Sequence, residues 1–351
     1  MLSLNAQDYF DSRVELRQDF LRRNIAGAFT ETLIAADWAS RRYFRITQAS
    51  VETVILMEAI PDHTGAYTPG HKVSDFIRIA KGLRTAGIHA PQILLADEHE
   101  GFVLIEDFGN VNVYDALDSG EDYDVLYGAA TDVLIRMRDN VDTGALSLPS
   151  YYDSHVHKGR QRIVDWYVPA TRGEKNNDDL LPSYLAAWEE VERNAPSCPM
   201  GFVHGDFHMQ NLMRLENDLG VLDFQGAMYG PLPYDIANLL EDIRRDVPED
   251  IHDAMLARYS AGNAEFALWF RIMATQFHCR ILGQVLRLAI AGGRPGFLKF
   301  IPRVQNYIVR GLQDPALAPL AKWMRDEKID LAAERCFDPE YVRIFIRPDA
   351  F

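Results

Sequence analysis

Residues 202–226 read FVHGDFHMQNLMRLENDLGVLDFQG, and this stretch decides the reading of the chain. Short apolar runs flank a polar turn. Asp206 stands five residues before Asn211, and Asp223 follows twelve residues later at the end of an apolar run. The first spacing matches the D-x-x-x-x-N of a phosphoryl-transfer catalytic loop. Phosphoryl transfer needs a carboxylate to take or orient the acceptor proton, hard oxygen ligands for a metal ion, and cations on the phosphates. On a hairpin, a loop-tip Asn and an Asp at the neighbouring strand end converge on one cation. Asp206 is therefore the candidate base, and Asn211 and Asp223 are the candidate Mg2+ ligands. The plain alternative is that Asp206 and Asn211 only shape a turn. The preceding His-Gly, the bracketing apolar runs and the second Asp favour catalysis. His204 is expected to orient the loop backbone. Neither His204 nor His208 has a third ligand at zinc spacing.

Outward from this loop the chain changes texture near residue 108. Residues 6–24 have the spacing of an amphipathic helix, RRYFRIT alternates, and ETVILMEAI is a short apolar run. VSDFIRIAKGLRTAGI predicts a helix with Ser74 as its N-cap and Gly87 at its end, and PQILLADEHEGFVLIEDFG reads as a hairpin. Beyond Gly109 helices are expected near 122–139, 154–167, 179–194, 234–245, 249–260, 264–291 and 297–312. The fold class expected is α+β, with a small antiparallel-sheet nucleotide-binding lobe over 1–108 and a large helical lobe over 109–351 carrying the catalytic loop and substrate site. A cleft between two such lobes is the default ligand site. The EDFG at 106–109 spells a kinase metal-binding tripeptide but precedes the catalytic loop by about a hundred residues. By position it is the connector, whose backbone at Ile105 and Asp107 is expected to face an adenine edge.

Composition bounds the function. The chain has 351 residues, 48% of them hydrophobic, and a formal net charge of -15, which argues against a general nucleic-acid binder. Cys198, Cys279 and Cys336 are too scattered for a zinc site or a disulfide framework. The first residues carry no signal-peptide core, and the longest apolar segment, 266–290, contains Arg271, Gln276, His278, Arg280 and Arg287, too many polar groups for a membrane span. A cytoplasmic protein is expected.

With HGDFHMQNL, VLDFQGAMYGPLPYDIANLL, DWASRRYFRI, VILMEA and the helix WFRIMATQFHCRILG, the chain resembles the aminoglycoside phosphotransferase family, the small-molecule branch of the protein-kinase-like fold. Within it the chain is most similar to anomeric kinases of N-acetylmuramate and N-acetylglucosamine. The resemblance spans about residues 37–310. It implies Asp206 as base, Asn211 and Asp223 as Mg2+ ligands, ATP as co-substrate, and Asp235 as a buried carboxylate bracing the catalytic loop. Read alone, Asp235 also suits the positive end of a helix. Two departures stand out: Gly205 where the subgroup tends to have arginine, and Gly226 where it tends to have an acid.

Acceptor-binding side chains are expected near Asp206. RIVDWYVP offers Arg162, Asp165, Trp166 and Tyr167, the aromatics as a sugar platform or as core. QFHCR offers Gln276, His278 and Arg280, of which Gln276 and Arg280 share a helix face. Gln225 follows the metal-site Asp. Arg162 or Arg280 would suit a substrate carboxylate. No lysine precedes Lys72, and Met57 stands at the usual lysine position, with Ile55 beside it. Alternation then puts Arg42 on the apolar face with Phe44 and Ile46, as the phosphate-binding cation, and turns Arg41 and Arg45 outward. Competing readings are a kinase of an aminoglycoside, choline or other amine-bearing alcohol, with NNDD at 176–179 as a weak amine site, and a nucleotide-binding scaffold without turnover.

Overall fold

The structure, a computed structural model, describes residues 6–36, 41–49, 51–67, 70, 72–332 and 337–350; Cys336 and part of ADWASRRYF lie outside them. By internal contacts the chain forms two units, Met1–Ser147 with Met209–Ala227, and Leu148–His208 with Met228–Phe351. The sequence suggested one cut at residue 108. Residues 109–147 stay with the first unit because they grip the 209–227 segment. Arg214 N donates to Val111 O at 2.8 Å, Asn112 bridges Met213, and Arg136 binds Asp218 at 2.8 Å.

The first unit opens with helices α1 (Ala6–Asp11) and α2 (Val14–Asn24), where one continuous helix was expected. Strands β1 (Phe29–Ala36), β2 (Arg41–Gln48) and β3 (Val51–Ala59) follow, then helix α3 (Val73–Thr85) and the hairpin β4 (Ile93–Asp97) and β5 (Phe102–Glu106). They make one antiparallel sheet in the order β1-β2-β3-β5-β4. Helices α4 (Val113–Asp118) and α5 (Tyr123–Asn140) close this leg. Helix α3 is capped from a distance: the Asp62 carboxylate accepts from the backbone N–H of Val73 at 2.7 Å and of Ser74 at 3.2 Å. Ser74, expected as the cap, lies inside the first turn and donates its hydroxyl to the same carboxylate.

Both faces of the sheet are covered. One face carries Phe44, Ile46, Leu56, Phe102 and Leu104, which pack on Phe20 and Leu21 of α2. Buried Arg17 of α2 forms ion pairs with buried Glu58 of β3 at 2.8 Å and with Glu31 of β1 at 2.9 Å. One guanidinium, forked onto Glu31 and bound to Glu58 through its remaining nitrogen, thus replaces apolar contact at the end of this face.

The second unit begins with α6 (His155–Lys158), a 3-10 turn, a π-helical turn over Ile163–Tyr167, α7 (Val168–Arg172) and α8 (Leu180–Asn194). The 154–167 helix expected from spacing is thus broken into three pieces. Strand β6 (Met200–Val203) leads into the catalytic loop. The chain then returns to the first unit for β7 (Leu212–Arg214) and β8 (Leu219–Val221), and resumes the second with β9 (Met228–Pro231), which pairs antiparallel with β6. Helices α9 (Pro233–Leu240), α10 (Glu249–Ser260), α11 (Ala264–Ile290), α12 (Ile301–Gly311), α13 (Ala318–Asp326) and α14 (Pro339–Arg343) complete it. The 27 residues of α11 are buried on most sides, among Trp166, Tyr167, Val304 and Leu320. No described helix is long and apolar enough to cross a membrane.

A buried carboxylate links three of these helices. Glu241, just past α9, meets Arg271 of α11 at 3.1 Å, Arg310 of α12 at 2.8 Å and His252 of α10 at 3.6 Å. Burial alone would raise its pKa; His252, His278, Arg271 and Arg310 reverse that and hold it at about 2. A carboxyl with a depressed folded pKa stabilises the fold fully above its unfolded value, and that stability fades as pH falls toward the folded one. The melting temperature is therefore expected to drop as pH falls from 4.5 toward about 2. In Glu241→Gln that part of the acid slope flattens and stability at neutral pH falls, which thermal melts across pH will check.

Candidate active site

In the second unit the catalytic loop hangs from one buried carboxylate. Asp235 sits in the first turn of α9, just after Pro233, whose fixed φ suits a helix start. Its Oδ2 accepts from His204 N at 2.6 Å and its Oδ1 from Gly205 N at 2.9 Å. These two bonds tie the loop backbone to α9. Gly205 has φ 90°, a left-handed conformation that arginine would hold only under strain, so glycine fits the loop as built here. Burial raises the Asp235 pKa, against the pull of His204 and the two backbone N–H groups. His204 is buried, and its Nδ1 accepts from Asp206 N at 3.3 Å, so it orients backbone as expected.

The Asp206 side chain is 53% exposed, which leaves its carboxylate accessible to an acceptor. His208 Nε2 lies 3.5 Å from Oδ2. Desolvation opposes ionisation, but His208, with Arg244 and Arg280 farther off, outweighs it and holds the carboxyl below its usual range. The group is thus ionised at neutral pH.

Two of the expected acceptor-binding side chains converge beside this loop. Arg280 Nη1 donates to the buried Tyr234 hydroxyl at 2.9 Å. A Cβ on Gly159 would stand 3.1 Å from Arg280 Cδ and 3.3 Å from Arg162 Nη1, so both arginines pass the same bare backbone. Burial, and then repulsion from Arg280 and Arg287, pull the Arg162 pKa down to about 10. Gln276 is buried one turn from Arg280; its Nε2 donates to Glu192 at 2.5 Å, and Tyr151 donates to its Oε1 at 3.4 Å.

Four expected acceptor contacts are corrected. Trp166 and Tyr167 are core: both are buried, and the Tyr167 hydroxyl donates to Asp330 O at 2.5 Å and accepts from Gln305 at 2.7 Å. Asp165 accepts from Gln161 at 3.1 Å and lines a separate cavity of about 100 Å³ with Asn176, Asn177 and Arg347. His278 is fully buried, stacks on Tyr307 at 4.5 Å and has Nε2 3.1 Å from Glu241 O. Two residues along a helix is over half a turn, so His278 faces away from Gln276 and Arg280. In NNDD, Asp178 pairs with Arg347 at 3.7 Å, and Asn176 donates to Val164 O at 2.7 Å.

The metal-ligand candidates lie in the first unit. Leu212 pairs with Val221, and Leu222 N donates to Asn211 O at 2.9 Å, so Asn211 and Asp223 emerge at the same end of the β7–β8 ladder. Asp223 has φ 59°, a left-handed conformation costly for a non-glycine residue, and such outliers cluster at ligand clamps. Neighbouring Phe224 anchors it by stacking on Phe76 of α3 at 5.0 Å. Gln225 is buried and donates to Asp223 Oδ1 at 2.6 Å, so its amide is turned to a candidate metal ligand. A Cβ at Gly226 would meet nothing within 4 Å, so the missing acid leaves open space there. One carboxylate and one amide oxygen are hard donors, and such a pair fits Mg2+, which keeps waters and takes phosphate oxygens.

The sheet face turned to α3 carries the nucleotide candidates Ile55, Met57 and Ile105, all buried; Ile55 is paired with Ile105. Arg42 is not on that face. It opposes Glu58, pairs with Asp11 at 3.1 Å and stacks on Phe10 at 4.8 Å, so it belongs to the face covered by α1 and α2. The buried cation on the α3 face is Arg41, 0% exposed, with its guanidinium over Phe76 at 5.5 Å and Nη2 3.4 Å from Lys72 O. Arg45 forks onto Asp107 at 2.5 and 2.8 Å. Thr53 and Gly109 N also donate to Asp107, at 2.6 and 2.9 Å. Burial works against these bonds, yet they lower the Asp107 pKa, and its side chain locks the connector in place.

The sequence profile of the phosphotransferase enzyme family matches residues 30–269. An N-acetylmuramate/N-acetylglucosamine kinase of Pseudomonas aeruginosa is 31% identical over 82% of this chain and 86% of its own length. One of Neisseria meningitidis is 31% identical over 83% and 89%. A choline/ethanolamine kinase family protein from Mesorhizobium loti superposes with a TM-score of 0.57 at 12% identity, covering 89% of this chain and 98% of its own. An ADP-bound aminoglycoside phosphotransferase gives 0.56 at 14% identity, covering 84% and 96%. The fold is the two-lobed α+β protein-kinase-like fold.

Asp235→Asn puts an NH2 group against one of two backbone donors and leaves a buried N–H without an acceptor, at a cost of about 1–3 kcal/mol. The variant is expected to lose that much stability in denaturant titrations and to lose turnover beyond what the stability change explains.

Proposed function

The chain belongs to the phosphotransferase enzyme family, and on that premise we propose that it transfers the γ-phosphoryl group of ATP to the anomeric hydroxyl of an N-acetylated amino sugar, with Mg2+ as the assisting ion. The acceptor class is supported by four relatives, 30–31% identical, each named an N-acetylmuramate/N-acetylglucosamine kinase. The observation that carries the chemistry is the half-exposed, ionised Asp206 on a loop fixed by Asp235.

Asp206 accepts the proton of the sugar hydroxyl as the sugar oxygen bonds to the γ-phosphorus. The bond from that phosphorus to the β–γ bridging oxygen breaks, and ADP leaves. His208 keeps the carboxylate ionised before the hydroxyl arrives. Asn211 and Asp223 would hold the Mg2+, which lends positive charge to the phosphate oxygens. Gln225 restrains the Asp223 carboxylate. The hydrophobic Ile55, Met57 and Ile105 offer an apolar bed for a base, and the backbone at Ile105 and Asp107 its hydrogen-bonding edge. The use of ATP as phosphoryl donor supports a reaction in the cytoplasm.

An amine-bearing acceptor is disfavoured by the arginines beside Asp206. The intact Asp206, Asn211 and Asp223 weigh against a scaffold without turnover. Purified protein with Mg-ATP is expected to form a sugar 1-phosphate from N-acetylglucosamine or N-acetylmuramate, read by mass spectrometry and phosphorus NMR. Phosphorylation of aminoglycosides or choline alone would overturn the acceptor assignment. Asp206→Asn should cut turnover about a hundredfold or more while ATP still binds, as loss of a general base does. Asp223→Asn should weaken Mg-ATP binding as well, measured by calorimetry.

A further inference from the structure

We propose that Arg160, Arg162, Arg280 and Arg287 form an anion subsite for a carboxylate on the acceptor, so that an acidic amino sugar is preferred to its neutral counterpart. The inference rests on the amino-sugar reading above and narrows it.

Three observations in the second unit carry it. The first is the density of like charge. Arg280 and Arg287 stand seven residues apart on α11 and so share a face, and Arg162 at the entry to the π-helical turn feels both. Arg160 lies two residues earlier and shares Tyr151 with Arg280 as a neighbour whose ionisation both would favour. His157, pushed down to about 4 by burial and then by Arg160, registers the same positive field.

The second is the absence of compensation. Acidic residues outnumber basic ones, 51 to 36, and elsewhere buried or partly buried arginines find them: Arg17 with Glu58, Arg45 with Asp107, Arg271 with Glu241. Among the described residues no ion pair forms at Arg160, Arg162, Arg280 or Arg287. Arg160 is only 9% exposed, yet its Nε and Nη1 have no hydrogen-bond partner, and neither does the buried Nε of Arg280. Buried guanidinium N–H groups left unmade are costly unless a ligand completes them.

The third is the close approach. Gly159 carries no side chain where Arg162 Nη1 and Arg280 Cδ pass. A guanidinium cluster is matched by a planar oxyanion that accepts two parallel N–H bonds, and a carboxylate is such a group. The charge coupling of Arg280 with Asp206 puts this subsite near the base.

The test compares kcat/KM for N-acetylmuramate, its methyl ester and N-acetylglucosamine. The acid should exceed the ester and the neutral sugar by about tenfold or more, an advantage that shrinks as salt rises. Arg160→Gln and Arg162→Gln should lower kcat/KM for the acid about tenfold further than for N-acetylglucosamine, chiefly through KM, and Arg162→Lys should restore part of it. Melting temperatures separate a misfolded variant from an informative one, and the ester comparison needs no variant. Equal rates for acid and ester would overturn the proposal. So would an equal loss on all three sugars, which would give the arginines to the transferred phosphoryl group. If none of the three is phosphorylated, the amino-sugar reading itself falls and the subsite with it.

Discussion

The catalytic loop depends on the Asp235 carboxylate, whose two oxygens each take one backbone N–H of His204 and Gly205. A loop between a strand and a 3-10 turn has no ladder of its own to satisfy those donors, and buried donors left open are expensive. Asp235 meets both at once from the rigid first turn of a helix. The loop in turn presents Asp206 outward, while His204, stacked edgewise on Phe207, is held in. Position is the main thing a protein can contribute to phosphoryl transfer, because little covalent chemistry falls to its side chains. A fixed backbone at residues 204–206 is therefore what the proposed transfer would ask of this loop.

Charge in the second unit is distributed in two contrasting ways. Around Glu241 a single buried anion is surrounded by cations from three helices. His278 is pushed toward its neutral form by burial, so at neutral pH the balancing charge comes from Arg271 and Arg310. That knot is closed and serves the fold. Around Gly159 no described residue forms an ion pair with the arginines, and Arg280 among them feels the Asp206 charge. The same residue type thus marks scaffold in one place and ligand in the other; the difference is whether the counter-charge is already in the chain.

Much of the site was legible because its residues are local. Asn211 and Asp223 flank one hairpin, β7–β8, and sequence distance along a hairpin converts directly into proximity. Helices α5, α8, α10 and α11 fall within a residue or two of expectation. Arg42 was misjudged because alternation tells which residues share a face, not which face is which; with both faces of the sheet covered, the apolar parity belonged to α2. Trp166 and Tyr167 stood open between sugar platform and core because residue type alone does not tell a ligand-facing aromatic from a packed one; both are buried in the π-helical turn. The companionship of Arg160 with Arg280 joins segments far apart in sequence, and no local pattern announces it.

Gly283 gives the arginine cluster its dimensions. A Cβ there would run into the carbonyl of Arg162, so α11 and the π-helical turn are in backbone contact at that point. The gap between Arg162 on one element and Arg280 on the other is then set by main chain, with rotamers making only the final adjustment. Selection for acceptor charge becomes a property of how two helices are seated. A drift in that seating, through substitutions that never touch a sugar, would retune it, and this offers a lineage a route to new acceptors that leaves every contact residue unchanged.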